Sequence, residues 1–93
     1  MSLTDSAIKA AKPKAAQYKL HDAGGLFLLV RTSGGKLWRL KYRFNGKEQL
    51  LSLGAYPDVS LAAARKRRDE ARKMLVEGHN PSAEKKRAAL AAT

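Results

Sequence analysis

The sequence predicts an α+β fold in which a three-stranded antiparallel β-meander packs on one main α-helix, with a short N-terminal helix. Three strand-length segments with apolar alternation follow one another: residues 26–32, 37–44 and 47–53. The connection between the last two, Asn45-Gly46, favours a type I′ hairpin turn, which joins antiparallel strands. A longer segment with helical periodicity, residues 61–77, comes after the sheet.

The elements before the sheet are short. Residues 2–11 are predicted to form a helix, because Thr4 can cap its start and Asp5 suits the positive end of its dipole. Residues 18–21 fit a brief edge strand, which the predicted three-stranded sheet does not count. The turn signal at residues 22–25 leads into the first full strand.

The main helix follows a break at residues 54–58. Ser60 can cap its start, and Gly78 is a plausible cap after its end. Five apolar residues roughly share one face of this helix: Leu61, Ala64, Ala71, Met74 and Leu75. Arg68 falls near this stripe, and its stem is expected to lie along apolar surface with the charge in water.

The chain has 93 residues, which suits one small domain. We assign residues 1–81 to that domain. Residues 82–93 have helical composition but no apolar face to bury, and we predict a helical linker or disordered tail there.

The composition is strongly basic, with 19 Lys and Arg against 8 Asp and Glu and a formal net charge of +11. Such an excess favours polyanions, so nucleic acid is the leading partner class, ahead of anionic membranes and acidic proteins. The absence of cysteine excludes disulfides and thiolate metal sites. The longest apolar run, residues 26–30, is too short to span a membrane, and the N-terminus lacks an apolar signal core. We therefore expect a soluble, cytoplasmic protein.

The two faces of the predicted sheet differ in character, because successive side chains of a strand point to opposite sides. One face, the Trp38 face, has enough bulk to cover the main helix: Trp38, Leu40, Tyr42 and Phe44. The opposite face, named the basic face, is predicted to be uncovered: Phe27, Leu29, Arg31, Arg39, Lys41, Arg43 and Leu50. A mixed basic and apolar patch is typical of a contact surface. Alternation alone also places charged residues on the wet side of a sheet, and that interpretation stays open.

A β-sheet can enter the major groove of B-DNA, where arginine can pair with guanine or hold phosphate and lysine acts as a point charge. Lys36 and Lys47 sit beside the two turns and are predicted to reach flanking phosphates. Asn45 is a candidate for a base edge, although it is more often only a turn residue. The predicted DNA contacts are Arg31, Lys36, Arg39, Lys41, Arg43, Asn45 and Lys47, with Phe27, Leu29 and Arg65 as secondary candidates.

A second cluster of cations lies on the main helix, where residues 65–68 are all basic and Arg72 and Lys73 follow. The plainer interpretation is a solvated helix face with local pairing to Asp69 and Glu70. A helix that reads a groove directly is the competing mode of DNA binding, and it would make this cluster the primary contact surface.

Signatures of catalysis or of a bound cofactor are missing from the sequence. Gly35-Lys36 and Gly46-Lys47 lack the earlier glycine and the following Ser or Thr of a phosphate-binding loop. His21 and His79 are far apart and lack the spacing of metal ligands. We expect no catalytic residues, no cofactor and no metal.

Several segments, in order and spacing, resemble the opening of a phage or prophage (P4-like) tyrosine-recombinase integrase. They cover nearly the whole chain: Leu3-Thr4-Asp5, Asp22-Ala23-Gly24-Gly25-Leu26-Phe27-Leu28-Leu29-Val30, residues 35–47, Leu53-Gly54-Ala55-Tyr56-Pro57, Ser60-Leu61-Ala62-Ala63-Ala64-Arg65 and Gly78-His79-Asn80-Pro81.

The resemblance implies an N-terminal arm-type DNA-binding domain, in which a three-stranded sheet packs on a helix and enters the major groove. It also implies that the strand-exchange chemistry belongs to a separate C-terminal domain, so this chain would be a non-catalytic fragment of a bacterial integrase. Its partners would be double-stranded DNA and, in the full-length protein, other integrase protomers. We expect no membrane partner and a monomeric isolated domain.

Two other functions compete with DNA binding. A protein-interaction module would dock an acidic partner on the same basic and apolar sheet face. RNA binding ranks lower, because the basic face offers only Phe27 as an aromatic platform for stacking.

Overall fold

The computed structural model describes residues 3–83 of the chain. In chain order the elements are α1 (Asp5–Ala10), β1 (Tyr18–His21), a 3-10 turn (Ala23–Gly25), β2 (Leu26–Val30), β3 (Lys36–Phe44), β4 (Lys47–Tyr56) and α2 (Leu61–Val76). The strands form one antiparallel sheet in the order β1-β2-β3-β4. The predicted α+β class is confirmed, whereas the predicted number of three strands is wrong, because the sheet has four.

The additional strand is β1, which pairs with β2 over its whole length, from Tyr18 opposite Val30 to His21 opposite Phe27. The 3-10 turn that joins β1 to β2 requires glycine. Gly25 has φ +86°, and a Cβ there would lie 2.4 Å from the carbonyl oxygen of Lys41. The brief edge strand predicted at residues 18–21 is confirmed, but four residues give too few alternations to show from sequence that the strand pairs with β2 and joins the sheet.

The β3–β4 hairpin turns at Asn45 and Gly46, whose φ angles of 52° and 76° are the positive values that a type I′ turn needs. Trp38 pairs with Gly54 and Arg39 pairs with Ser52, so β4 carries one extra residue at this point, a β-bulge. Because of this bulge the pairing continues to Tyr56, three residues beyond the predicted end of the strand.

The core lies between the Trp38 face of the sheet and the two helices. It contains residues from every layer: Ile8, Leu26, Leu28, Val30, Trp38, Leu40, Tyr42, Leu51, Leu53, Val59, Leu61, Ala64 and Ala71. Trp38 is fully buried, and its indole Nε1 donates a hydrogen bond of 2.7 Å to the carbonyl oxygen of Val59. Each buried Leu, Ile or Val stabilises the fold by about 1.5–3 kcal/mol, so this single layer is the main source of stability.

Helix α2 has the caps that the sequence predicts. Its first turn is capped by Ser60, whose Oγ accepts a hydrogen bond from the amide of Ala63. Its last turn ends in a Schellman motif, because Gly78 has φ +86° and the amide of His79 donates to the carbonyl oxygen of Met74. Met74, which the sequence analysis placed on the apolar face of the helix, is 36% exposed. With 3.6 residues per turn, Met74 lies about 100° from the centre of the buried stripe.

After α2 the chain is attached to the sheet by a polar network. The hydroxyl of Tyr42 is within hydrogen-bonding distance of the side-chain oxygens of Gln49, Asn80 and Ser82, and its one proton is donated to one of them at a time. Residues 81–83 are helical, and Pro81 is buried. The predicted linker or tail at residues 82–93 lies outside the described residues from position 84 onward.

Candidate nucleic-acid interface

The side of the sheet opposite the Trp38 face runs across all four strands. Strand register places these side chains on it: Lys19 and His21 from β1, Phe27 and Leu29 from β2, Leu37, Arg39, Lys41 and Arg43 from β3, and Glu48, Leu50 and Ser52 from β4. Helices α1 and α2 pack on the other side, against the core. This surface is the basic face of the sequence analysis, now extended by β1 and β4.

The apolar part of the basic face differs from the expectation of an uncovered surface. Phe27 and Leu29 are buried, with 2% and 6% of their surface exposed. They lie on a central strand, where longer side chains of the neighbouring strands cover them. The ammonium of Lys19 is 5.0 Å from the centre of the Phe27 ring, and the His21 ring centre is 5.8 Å away. The expectation that Phe27 and Leu29 are uncovered is therefore wrong, whereas their secondary role as DNA contacts stays a prediction.

The row Arg39, Lys41 and Arg43 lies on the basic face as the strand period predicts. Arg39 is half-buried, and the other two are exposed. Within residues 3–83, no hydrogen bond or ion pair holds the guanidinium groups of Arg39 and Arg43. Lys41 forms an ion pair of 3.2 Å with Glu48, and both side chains are more than half exposed, at 54% and 58%. In this row the guanidinium groups of Arg39 and Arg43 are available to a ligand, and between them lies Lys41, whose charge is partly neutralised by Glu48.

Beyond Leu40 the sheet narrows. The pairing between β2 and β3 ends at Leu26 opposite Leu40, while β3 and β4 stay paired to the turn. Within the described residues, positions 41–50 therefore form a two-stranded ribbon that continues past β2. Its basic-face side chains are Lys41, Arg43, Glu48 and Leu50, and Leu50 is 52% exposed.

Lys36 and Lys47 lie beside the two turns, on the side of the sheet opposite the basic face, and their contact with flanking phosphates stays a prediction. The ammonium of Lys36 donates a hydrogen bond of 2.8 Å to the carbonyl oxygen of Ile8, and it lies 5.7 Å from the centre of the Tyr56 ring. Lys47 pairs with Phe44 and shares its side of the sheet. Both lysines were predicted as DNA contacts because they are close to a turn. The two-residue period of a strand places their side chains on the same side of the sheet as Trp38.

The remaining two candidates lie at opposite ends of the sheet. Arg31 follows β2 and is exposed, and its backbone amide donates to the carbonyl oxygen of Gly35 in the β2–β3 turn. Asn45 is exposed at the tip of the two-stranded ribbon. Each can reach a ligand that extends beyond the central row.

Arg65, the secondary candidate on α2, is part of a structural cluster around Asp22. The Asp22 carboxylate is 1% exposed and accepts hydrogen bonds of 3.1 Å from Nε and Nη2 of Arg65 and from Nη1 of Arg68. It also accepts one of 2.8 Å from the amide of Leu3. Burial raises the pKa of Asp22, but the hydrogen bonds from Arg65 and Leu3 and the charge of Arg65 outweigh it and lower the pKa. Arg65 thus has a structural role in the fold, and its secondary role as a DNA contact stays a prediction.

Other arginines of α2 also bind the sheet and its loops. Arg67 donates 2.7 Å to the carbonyl oxygen of Leu53, Arg68 donates 2.9 Å to that of Ala23, and Arg72 donates 3.2 Å to that of Gly24. The basic cluster of α2 is therefore largely committed to the fold. These arginines contact the fold more extensively than a solvated helix face would. Few cations of α2 therefore stay free for a mode in which the helix docks in a DNA groove.

Sequence reasoning missed Lys19 and the structural role of Asp22. The alternation of residues 18–21 carried a signal for Lys19, because Tyr18 and Leu20 are half-buried while Lys19 and His21 are exposed. No local pattern indicates that Asp22 binds Arg65, because the two are 43 positions apart. Within residues 3–83 there is no group of three or more potential metal ligands, and no helix there is long and apolar enough to cross a membrane.

Comparison with known proteins identifies the family of this chain. Residues 3–88 match the Arm DNA-binding domain family. The chain is 47% identical over 90 residues to the integrase of Enterobacteria phage P4, which covers 95% of this chain and 20% of that protein. It is 46% identical over 86 residues to the prophage integrase IntA of Escherichia coli K12, covering 90% and 21% respectively. The chain spans about a fifth of the length of these relatives. It belongs to the arm DNA-binding domain family of phage and prophage integrases.

Proposed function

We propose that this chain binds double-stranded DNA at arm-type attachment sites, as the non-catalytic N-terminal domain of a site-specific tyrosine recombinase, and that its basic face docks in the major groove. The observation that carries the proposal is the contrast between two sets of arginines. Those of α2 are bonded to the fold, whereas Arg39 and Arg43 have no partner within residues 3–83.

The shape of the sheet supports major-groove docking. The groove of B-DNA is about 12 Å wide and admits a two-stranded β-ribbon, and positions 41–50 form such a ribbon. Alternate residues of a strand are about 6.8 Å apart, so Arg39, Lys41 and Arg43 extend over about 14 Å along the groove. Arginine binds guanine or phosphate through two hydrogen bonds, which makes Arg39 and Arg43 the main candidates for base and phosphate contacts.

The test is duplex binding by the Arg39→Ala and Arg43→Ala variants, with Lys66→Ala as a matched control that removes one exposed charge from α2. The probes are a duplex from the attachment region beside the gene and a scrambled duplex of the same composition. A base-contacting arginine contributes about 1–3 kcal/mol, so each sheet variant should bind the attachment duplex about 5- to 150-fold more weakly. Lys66→Ala should change affinity much less.

The salt dependence provides a second check. With about 3–5 phosphate contacts, the slope of log K against log salt should lie near −3 to −4.5. Equal affinity for the attachment and scrambled duplexes would refute specific recognition. A larger effect from Lys66→Ala than from Arg43→Ala would favour docking through the helix.

A second candidate function is a protein-interaction module that binds an acidic partner through the same face. The exposure of Leu50 among cations favours it, since an apolar centre with a basic rim suits a protein partner. The burial of Phe27 and Leu29 leaves little other apolar surface there. Protection of Leu50 by an acidic partner, together with weak DNA binding that is blind to sequence, would support this alternative.

The full-length protein is proposed to insert or excise a mobile element, as the integrase names of its relatives suggest. In that context the chain would hold arm sites while other protomers bind alongside it. The isolated domain is proposed to be a monomer without a cofactor, and the protein is proposed to act in the bacterial cytoplasm.

A further inference from the structure

Glu48 is an acidic residue of the basic face, on the edge strand β4 near the tip of the two-stranded ribbon. Among the described residues whose strand register places them on the basic face, it is the one carboxylate. It lies opposite Arg43 and diagonal to Lys41, and its Oε1 is 3.2 Å from the Lys41 ammonium. A shallow hollow adjoins it, lined by Lys19, Lys41, Glu48, Gln49 and Leu50.

Stability does not explain this carboxylate. Its ion pair with Lys41 is solvent-exposed, with 54% and 58% of the two side chains accessible, and exposed pairs of this kind contribute little to folding. Binding to phosphate does not explain it either, because a carboxylate repels phosphate and screens Lys41, one of the three cations in the central row. A ligand group that donates a hydrogen bond would give this carboxylate a role.

The major groove contains such donors. Cytosine presents its N4 amino group, whereas guanine and thymine present acceptors at the corresponding positions. Adenine has an N6 amino group, but its N7 acceptor lies beside it and would face the carboxylate. Glu48 lies on the ribbon that fits the groove, so its carboxylate is positioned to meet a base edge once Lys41 turns to a phosphate.

We propose that Glu48 is a specificity-determining residue, whose carboxylate accepts a hydrogen bond from the N4 amino group of a cytosine in the major groove. This inference rests on the proposed docking of the basic face. In the free protein Lys41 neutralises Glu48. On a site with cytosine at this position, Glu48 accepts a hydrogen bond from the N4 amino group and Lys41 binds a phosphate. On a wrong base, the carboxylate loses water and faces an acceptor, which weakens binding by about 5- to 150-fold.

The experiment selects duplexes with a randomised centre on the 93-residue chain and sequences the bound fraction. The variants are Glu48→Gln and, as a matched control, Glu70→Gln, which removes the same charge from an exposed position on α2. Wild type should enrich a site with a strongly preferred cytosine. Glu48→Gln should lose the cytosine preference at that position and keep the preferences at the other positions. It should also bind scrambled duplex more tightly, because Lys41 no longer has an ion pair with Glu48 and can contact a phosphate. The slope of log K against log salt for scrambled duplex should then be steeper by about 0.9. Glu70→Gln should select the wild-type site.

A third variant separates direct reading from an effect through the neighbouring lysine. Lys41→Ala should weaken binding to all duplexes and keep the cytosine preference. If Lys41→Ala abolishes the same preference, Lys41 reads the base and the inference is overturned.

The inference and the proposed function fail in different ways. If wild type selects a site and Glu48→Gln selects the same one, the inference is overturned while DNA recognition stands. If wild type binds duplexes without any preference, the inference is also overturned, and only general DNA binding remains. If wild type does not bind duplex DNA, both are overturned.

Discussion

Replacement of Asp22 by asparagine should destabilise the domain by about 2–4 kcal/mol at neutral pH. The wild-type carboxylate accepts four hydrogen bonds, three from guanidinium groups and one from the amide of Leu3. Asparagine keeps one oxygen acceptor, so about two charge-assisted bonds are lost, at about 1.5–3 kcal/mol each before relaxation. Arg65 is 35% exposed and regains water, whereas Arg68 is 15% exposed, stays largely desolvated and keeps only the exposed Asp69 as a counter-charge.

The pH dependence of this effect has a definite sign. The pKa of Asp22 is lowered in the folded state, so its ionisation contributes stability above the unfolded pKa, about 3.9, and that contribution is lost as pH falls through the folded pKa. The stability difference between wild type and Asp22→Asn should therefore be largest near neutral pH and shrink below about pH 4.

Urea unfolding measures both quantities, with the buried Trp38, the one tryptophan of the chain, as the fluorescence probe. Glu70→Gln, an exposed carboxylate on α2, serves as the control and should change the free energy of unfolding by no more than about 0.5 kcal/mol. A loss under about 1 kcal/mol in Asp22→Asn, or one of the same size at pH 7 and pH 3, would refute the assignment of Asp22 as the anchor of α2.

Two further predictions concern the structural roles of polar groups. Tyr42→Phe removes the hydroxyl that links Gln49, Asn80 and Ser82. It should lower the free energy of unfolding in urea by about 1–2 kcal/mol and speed hydrogen exchange at the amide of Ser82, which donates to that hydroxyl. An unchanged exchange rate at Ser82 would contradict the network. Lys36→Met should cost about 1 kcal/mol in urea unfolding, because the carbonyl oxygen of Ile8 loses one of its two donors and keeps only the amide of Ala11. Duplex affinity should stay close to wild type, and a large loss of affinity would return Lys36 to the DNA interface.

The sequence predicted those features that follow from local backbone geometry. The two-residue period of a strand correctly separated Trp38 from Arg39, and the Asn45-Gly46 turn and the Ser60 and Gly78 caps followed from local conformational preferences. These features depend only on residues close together in the chain, so one sequence is enough to identify them.

Features that depend on distant neighbours could not be predicted in this way. Strand alternation places Phe27 on the side of the sheet that faces away from the helices. It is nevertheless buried, because Lys19 of the adjacent edge strand lies over its ring. Arg65 belongs to an apparently solvated helix face, yet it binds a carboxylate 43 positions earlier. In both cases the partner comes from β1 or from the residue after it, and which residues it contacts depends on pairing and packing that a local pattern does not specify.

Chemical-shift mapping of the chain with attachment-region duplex DNA tests the central claim most directly. The informative signals are the Arg39 and Arg43 Nε–H groups and the Leu50 methyls on the basic face, compared with the Ala62 methyl on the exposed side of α2. Docking of the sheet in the major groove predicts large shifts for the first set and almost none for Ala62. Large shifts at Ala62 with unchanged Arg39, Arg43 and Leu50 signals would contradict the proposed interface.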